Sequence, residues 1–291
     1  MKTTINYPSQ GSNIAADLYL PPDITQPVPL IVMCHGFCGV KELLLPAFAE
    51  QFQSTGFAVI AFDYRGFGAS EGEVGRLEPR LQIEDIKATL DFAVQMSIID
   101  SDKIALWGTS FGGANAIVAA TEDARVKCLA VQVTFGDGER VVTGALNDDE
   151  KTKLFASLDK MAARKTESGK EMWVPIAKVL SDAQSKAFYH RYADEFPALK
   201  TKIPFLTTAQ TLTHKPEAYL SDLNVPLHIT VAEQDGVNPP AESHSLFEKA
   251  KQPKALLSLP EASHYDVYQG ELLQQVASAQ IAWFKQAFDG Q

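Results

Sequence analysis

Gly108-Thr109-Ser110-Phe111-Gly112 decides the reading of this chain. The pattern G-x-S-x-G lies between Lys103-Ile104-Ala105-Leu106-Trp107, a run of strand length, and Gly113-Ala114-Asn115-Ala116-Ile117-Val118-Ala119-Ala120, small apolar residues of helical character. A serine forced into so sharp a strand-to-helix turn points its hydroxyl outward. Glycines two residues to either side remove side chains that would collide with the turn. The context nominates Ser110 as a nucleophile.

Outward from this turn the chain alternates in type. Upstream, residues 30–34 and 57–62 are continuous apolar runs, the signature of strands buried on both faces. Residues 3–7 and 14–20 alternate loosely and read as an opening hairpin. Residues 42–54 and 81–96 carry apolar side chains at helical spacing. Downstream, 126–133 is a strand. The rhythm then breaks for about ninety residues, too long for a structureless loop in a compact domain. Within that stretch 149–164 and 175–192 read as amphipathic helices, with a charged, glycine-containing break at 165–170. Residues 217–223 read as a short helix returning to the sheet. The core resumes with a strand at 227–231, a helix at 240–250, a strand at 255–259 and a long helix at 270–288. The expectation is an α/β fold: a mostly parallel eight-stranded sheet with helices on both faces. Residues 1–137 and 208–291 form its core, and 138–207 an inserted helical cap.

A serine hydroxyl needs a base to take its proton and a third group to hold that base. In an open α/β sheet such groups gather where parallel strands end. Two candidates follow strands there: Asp235 in Ala232-Glu233-Gln234-Asp235-Gly236-Val237-Asn238-Pro239-Pro240, and His264 in Ser263-His264-Tyr265-Asp266. Asp137, in Phe135-Gly136-Asp137-Gly138, is the rival acid. Among six histidines, His35 precedes a His-Gly turn and reads as structural. His190, His214, His228 and His244 read as surface or cap positions. The turn His35-Gly36-Phe37-Cys38-Gly39 leaves backbone N–H groups free, and the N–H groups of Phe37 and Phe111 form the expected oxyanion hole. Asp63, Arg65 and Ser70 are expected to hold the glycine-rich loop after the strand at 57–62. Tyr64, Asp137, Arg140, Trp173, Phe188 and Tyr189 are the candidates for lining a substrate pocket.

Taken together, His35-Gly36-Phe37-Cys38-Gly39, Asp63-Tyr64-Arg65-Gly66-Phe67-Gly68-Ala69-Ser70-Glu71-Gly72, the turn at Ser110, Asp235 and Ser263-His264-Tyr265 make the chain resemble the α/β-hydrolase superfamily. The Tyr64–Gly72 segment is similar to that of small bacterial esterases, relatives of dienelactone hydrolase, and the catalytic domain of the X-Pro dipeptidyl peptidase group. Dienelactone hydrolases carry cysteine at the elbow, and haloalkane dehalogenases and epoxide hydrolases carry aspartate; here it is Ser110. The X-Pro group adds a β-sandwich domain that this sequence does not show after its last helix. The resemblance therefore implies a serine hydrolase acting on a carboxylic ester, thioester or amide through an acyl-enzyme. Acyl transfer and carbon–carbon bond hydrolysis use the same triad. A non-catalytic binding protein of the same fold is the reading from another class.

Composition bounds the partners. The 291 residues are 45% hydrophobic and carry a net charge of -10. That argues against nucleic acid or an anionic membrane as partner, leaving a small-molecule acyl substrate and an open oligomeric state, a homodimer included. Cys34, Cys38 and Cys128 form no disulfide framework. Without a second Cys/His pair at ligand spacing, Cys34 and Cys38 give no metal site, and no cofactor is expected. The N-terminal residues lack an apolar h-region, so the expectation is no leader, no membrane span and a cytoplasmic location.

Overall fold

The computed structural model describes residues 1–289. Two strands, β1 (Lys2–Ser9) and β2 (Ser12–Tyr19), open the chain as an antiparallel pair. Strand and helix then alternate through β3 (Val28–Cys34), α1 (Leu45–Ser54), β4 (Ala58–Phe62), α2 (Pro79–Ala93), β5 (Ile99–Thr109), α3 (Phe111–Glu122) and β6 (Val126–Gln132). A helix-rich stretch follows: α4 (Gly138–Thr143), α5 (Asp148–Ser168), β7 (Trp173–Pro175), α6 (Ile176–Val179), α7 (Ala183–Tyr192), β8 (Lys202–Pro204) and α8 (Thr207–Thr213). The chain closes with β9 (Leu227–Ala232), α9 (Pro240–Lys249), β10 (Lys254–Leu259) and α10 (Gly270–Asp289). Among the described residues the strands form an eight-stranded sheet of order β1-β2-β4-β3-β5-β6-β9-β10, with β7 and β8 a separate antiparallel pair. From β4 to β10 every pairing is parallel.

The continuous apolar runs are explained by burial on both sides. Alternate side chains of a strand point to opposite faces. Leu30, Val32 and Cys34 of β3 and Leu106 of β5 face Ile83, Ile86 and Leu90 of α2 and Ile117 of α3. Ile31, Met33 and Trp107 face Phe48 and Phe52 of α1 and Val276 and Phe284 of α10. Trp107 finds a partner for its indole N–H in Gln280 Oε1 at 2.8 Å, satisfying a polar group at the centre of an apolar layer.

Among the boundaries that differ from the sequence expectation, three have a plain local reason. Helix α1 begins at Leu45, not at 42. Pro46 has no N–H to give the carbonyl of Glu42, so it is tolerated only in the first turn. The segment expected as one helix at 175–192 is split. Pro175 pairs in β7, and Asp182 starts α7 by accepting from the Ser185 N–H at 2.8 Å. Helix α5 continues to Ser168, through the expected break, and ends only at Gly169 in the left-handed conformation (φ 68°). Two of the four histidines read as surface or cap positions are core residues: His214 and His228 are 8% and 4% exposed. His214 stacks on the ring of Phe111 (5.6 Å) and meets Phe135, and His228 lies on β9, between β6 and the edge strand β10, beside Trp283.

Their burial has a pH consequence. Desolvation lowers both imidazoles from 6.5 to about 4. Below pH 6.5 the unfolded chain takes up protons that the folded protein refuses until about pH 4. The stability present at neutral pH is therefore lost progressively across that window, by about 3 kcal/mol for each group. The melting temperature is expected to fall between pH 7 and pH 5, and the fall to be shallower in the His214→Phe and His228→Leu variants. Parallel curves for wild type and both variants would remove these histidines as the cause.

No helix of the described residues is long and apolar enough to cross a membrane.

Candidate active site

Register brings the ends of the parallel strands together. Cys34 of β3 pairs with Gly108 of β5, Thr109 with Gln132 of β6, Gln132 with Thr230 of β9, and Ala232 with Leu259 of β10. The loops carrying Phe37, Ser110, Asp235 and His264 therefore leave one edge of the sheet side by side.

Ser110 sits at the elbow between β5 and α3 with φ 54° and ψ -124°, a conformation that side chains rarely adopt. The flanking glycines are required by contact. A Cβ at Gly108 would lie 2.6 Å from the Gly112 carbonyl, and one at Gly112 would lie 2.1 Å from the Cys34 carbonyl. The elbow thus packs backbone on backbone. Phe111 occupies the first helical position, whose N–H has no acceptor within the helix. Among the described residues the Phe37 N–H has no hydrogen-bond partner either. The two side chains pack edge to face at 5.5 Å.

His264 and Asp235 meet directly, with Nδ1 2.7 Å from Oδ2. The other oxygen of Asp235 accepts from the backbone N–H groups of Val237 and Asn238, both at 2.8 Å. Both side chains are almost fully buried. Ser110 Oγ accepts from Asn238 Nδ2 at 3.2 Å, and among the described residues it has no hydrogen bond to His264. Such a contact often tightens only when substrate is bound.

Ser110 and His264 line one cavity of ≈ 80 Å³. Its walls come from the Gly36–Phe37 turn, from Leu43, Leu44 and Leu45, from Ile176, Leu180, Phe188, Tyr189 and Leu199 of the helix-rich stretch, and from Tyr265 and Tyr268. Among the described residues no Asp, Glu, Lys or Arg lines it. Tyr265 stacks face to face on Phe188 at 4.2 Å, shares a 3.2 Å hydrogen bond with Ser185, and is pushed up to about 12 by burial, so it stays a neutral phenol.

Of the six expected lining residues, Phe188 and Tyr189 are in this cavity and four are elsewhere. Tyr64 lies wholly in the core, between Phe62 and His35, where burial raises its phenol well above its ordinary value. Asp137 caps α4, accepting from the Glu139 and Arg140 N–H groups. Arg140 reaches away from the cavity to Glu217 and Glu242, at 2.8 and 2.7 Å. Trp173 is held in β7 under the Arg76 guanidinium, 5.2 Å from its ring, and that same arginine pairs with Glu171. Charge and aromaticity at these four positions serve packing and ion pairs. Sequence reasoning missed Asn238 and the run Leu43-Leu44-Leu45. The signal for Asn238 was present: a polar side chain three residues after the acid and directly before Pro239-Pro240.

His35 sits under the turn with its Nε2 accepting from the Tyr64 N–H at 3.4 Å, and burial lowers its pKa. Asp63 holds the turn from beneath, accepting from the Lys41 N–H at 2.7 Å. Arg65 forks onto Asp85 (2.6 to 3.2 Å), and Ser70 Oγ donates to the Asp63 carbonyl at 2.6 Å. Cys34, Cys38 and Cys128 are all buried free thiols.

Ser110, Asp235 and His264 lie beyond the ends of β5, β9 and β10 at one edge of a mostly parallel sheet. The family model for the alpha/beta hydrolase fold matches residues 29–271, and the chain belongs to that family. It is 45% identical over 258 residues to an uncharacterized 31.7 kDa Escherichia coli protein of the traX-finO intergenic region, covering 88% of this chain and 90% of that one. It is 28% identical to the thiohydrolase aneE of Aspergillus aculeatus, covering 90% of this chain and 86% of that one. Its fold superposes on the structure of DcsB in complex with its substrate analogue, with a TM-score of 0.87, 26% identity and 99% coverage of both chains.

Proposed function

We propose that this protein is a serine hydrolase that cleaves a carboxylic ester or thioester of a small, uncharged, apolar acyl group, with Ser110 as nucleophile, His264 as general base and Asp235 as its orienter. The observation that carries the reading is the 2.7 Å His264–Asp235 contact at the wall of the cavity into which the Ser110 elbow opens. Ser110 Oγ attacks the carbonyl carbon and its proton passes to His264 Nε2. The carbonyl π electrons move to oxygen, where the Phe37 and Phe111 N–H groups receive the charge. Collapse of the intermediate breaks the bond to the leaving group, which takes the proton from His264. Water then repeats the sequence on the acyl-enzyme.

The cavity walls support the substrate class. Burying a charged acyl chain among leucines, isoleucine and phenylalanine with no counter-charge would cost several kcal/mol. Residues 138–207 act as the cap of this site, since Ile176, Leu180, Phe188, Tyr189 and Leu199 all lean over it. The thiohydrolase name of one relative favours including thioesters.

The test is covalent. A fluorophosphonate probe is expected to label the wild-type protein at one site and to leave Ser110→Ala unlabelled, with hydrolysis of short p-nitrophenyl esters lost in parallel by on the order of 10⁴-fold or more. Equal labelling of wild type and Ser110→Ala, or none of either, would refute the mechanism.

A further inference from the structure

We infer that Asn238 is a catalytic residue of this site, which sets the direction of the Ser110 hydroxyl and stabilises Oγ as it leaves the acyl-enzyme. The inference rests on the serine-hydrolase reading above and adds a group to it. Asn238 lies on the loop from β9 to α9 and is 5% exposed. Its side-chain nitrogen donates twice: to the Val133 carbonyl at 2.7 Å and to Ser110 Oγ at 3.2 Å. The amide cannot be turned round. Val133 offers only a carbonyl oxygen, so the –NH₂ end must face it, and the second hydrogen is then aimed at the serine. The anchor is itself held, since the Val133 N–H donates to the Thr230 carbonyl at 2.9 Å and the Ser110 N–H to the Gln132 carbonyl at 2.9 Å.

Two consequences follow from a donor placed on Oγ. An oxygen that accepts from Asn238 must send its own proton elsewhere, and His264 lines the same cavity. The resting hydroxyl is thereby biased to be the donor in the transfer to the base. The second consequence comes at the end of the cycle. When water has added to the acyl carbon, the C–Oγ bond breaks, its electron pair stays on Oγ, and the proton that neutralises it comes from His264. A fixed N–H at Oγ lowers the energy of that developing alkoxide, as hydrogen bonds to charged oxygen are roughly twice as strong as neutral ones. The same bond stabilises Oγ in the transition state of attack, but there the resting hydroxyl already enjoys it, whereas the ester oxygen of the acyl-enzyme is a poor acceptor and gains most of the bond only as it leaves. The inference therefore separates the two half-reactions: loss of the donor slows deacylation far more than acylation. The main-chain N–H of Asn238, which holds Asp235, is untouched by a change of its side chain.

The experiment uses p-nitrophenyl acetate with wild type, Asn238→Leu and Asn238→Ser, the shorter residue serving if the leucine variant does not fold. Stopped-flow release of p-nitrophenol reads acylation, and quenched intact-protein mass spectrometry reads decay of the acyl-enzyme. Decay is expected to slow about 10- to 100-fold, with the burst rate and fluorophosphonate labelling within a few-fold of wild type, so that acyl-enzyme accumulates. A folded variant whose acyl-enzyme decays at the wild-type rate, or whose acylation falls as much as its deacylation, overturns the role of Asn238 and leaves the hydrolase reading standing. A wild-type protein that forms no acyl-enzyme and takes no fluorophosphonate label overturns the hydrolase reading and this inference with it.

Discussion

Asp235→Asn is expected to lower kcat by on the order of 10⁴ while leaving the fold intact. The reason is the hydrogen-bond inventory around the carboxylate. Oδ1 receives two backbone N–H donors, from Val237 and Asn238, and Oδ2 receives His264 Nδ1. An asparagine here must keep its oxygen towards the two N–H groups, because an –NH₂ facing them would leave three donors crowded without an acceptor. Its nitrogen is then turned to His264, and Nδ1 must become an acceptor. The ring proton moves to Nε2, where it blocks acceptance of the Ser110 proton. Size and burial are nearly unchanged, so the loss is one of tautomer and charge. The control is Asp137→Asn. Asp137 caps α4 and faces Arg140 and Lys215; asparagine caps a helix as well as aspartate does, so its substitution removes only two half-exposed ion pairs, is expected to cost no more than about 1 kcal/mol of stability, and leaves the rate within a few-fold of wild type. Steady-state kinetics on a p-nitrophenyl ester with both variants decides between the two acids. A crippled Asp137→Asn beside an active Asp235→Asn would reverse the assignment.

Much of this geometry was legible before the structure, and the reason is local. Gly108 and Gly112 are fixed by backbone contacts within the elbow, and the buried parallel strands have no polar face to disguise them. Loops at strand ends inherit their positions from the sheet, so Asp235 and His264 could be placed by counting strands. The cavity wall is different. Phe188, Leu180 and Ile176 sit on short helices whose angles to the sheet follow from tertiary packing, which periodicity does not encode. Leu43 and Leu44 carry a helical spacing, yet Pro46 stops the helix short and turns them to the cavity. Arg140 stands at the start of that stretch and Trp173 in its middle, and their side chains are taken up by ion pairs and a cation over a ring. The polar position before Pro239-Pro240 marked Asn238, but its contact with Ser110, 128 positions away, is set by tertiary packing that the local pattern does not carry.

The Asp63→Ala variant is expected to lose about 3–5 kcal/mol of stability, the cost of leaving one member of a buried ion pair without its partner. Asp63 follows β4 and is fully buried. One carboxylate oxygen accepts from the Lys41 N–H at 2.7 Å; the other accepts from the Ala69 N–H at 2.9 Å and meets Lys41 Nζ at 3.3 Å. The Lys41 side chain is itself only 5% exposed and has one further partner, Glu42, at the surface. A single carboxylate thus ties the loop after β3, which carries Phe37, to the loop after β4. The second loop wraps it so closely that a Cβ at Gly68 would fall 2.2 Å from the Asp63 carboxylate. Removing the carboxylate leaves the Lys41 ammonium with Glu42 alone and two N–H donors without an acceptor inside the protein. For a chain of this size the loss corresponds to a fall in Tm of roughly 10 °C. It should be accompanied by weaker hydrolysis at temperatures where the protein is still folded, because the Phe37 N–H is no longer held against the elbow. A double-mutant cycle separates the pair from its surroundings. Its members are Asp63→Ala, Lys41→Met and the double variant Lys41→Met/Asp63→Ala; the double removes both charges and is expected to recover part of the stability lost in Asp63→Ala. Urea unfolding of the three variants measures this directly. Asp63→Ala within about 1 kcal/mol of wild type would mean that the pair behaves as a surface contact and that the two loops are held by other means.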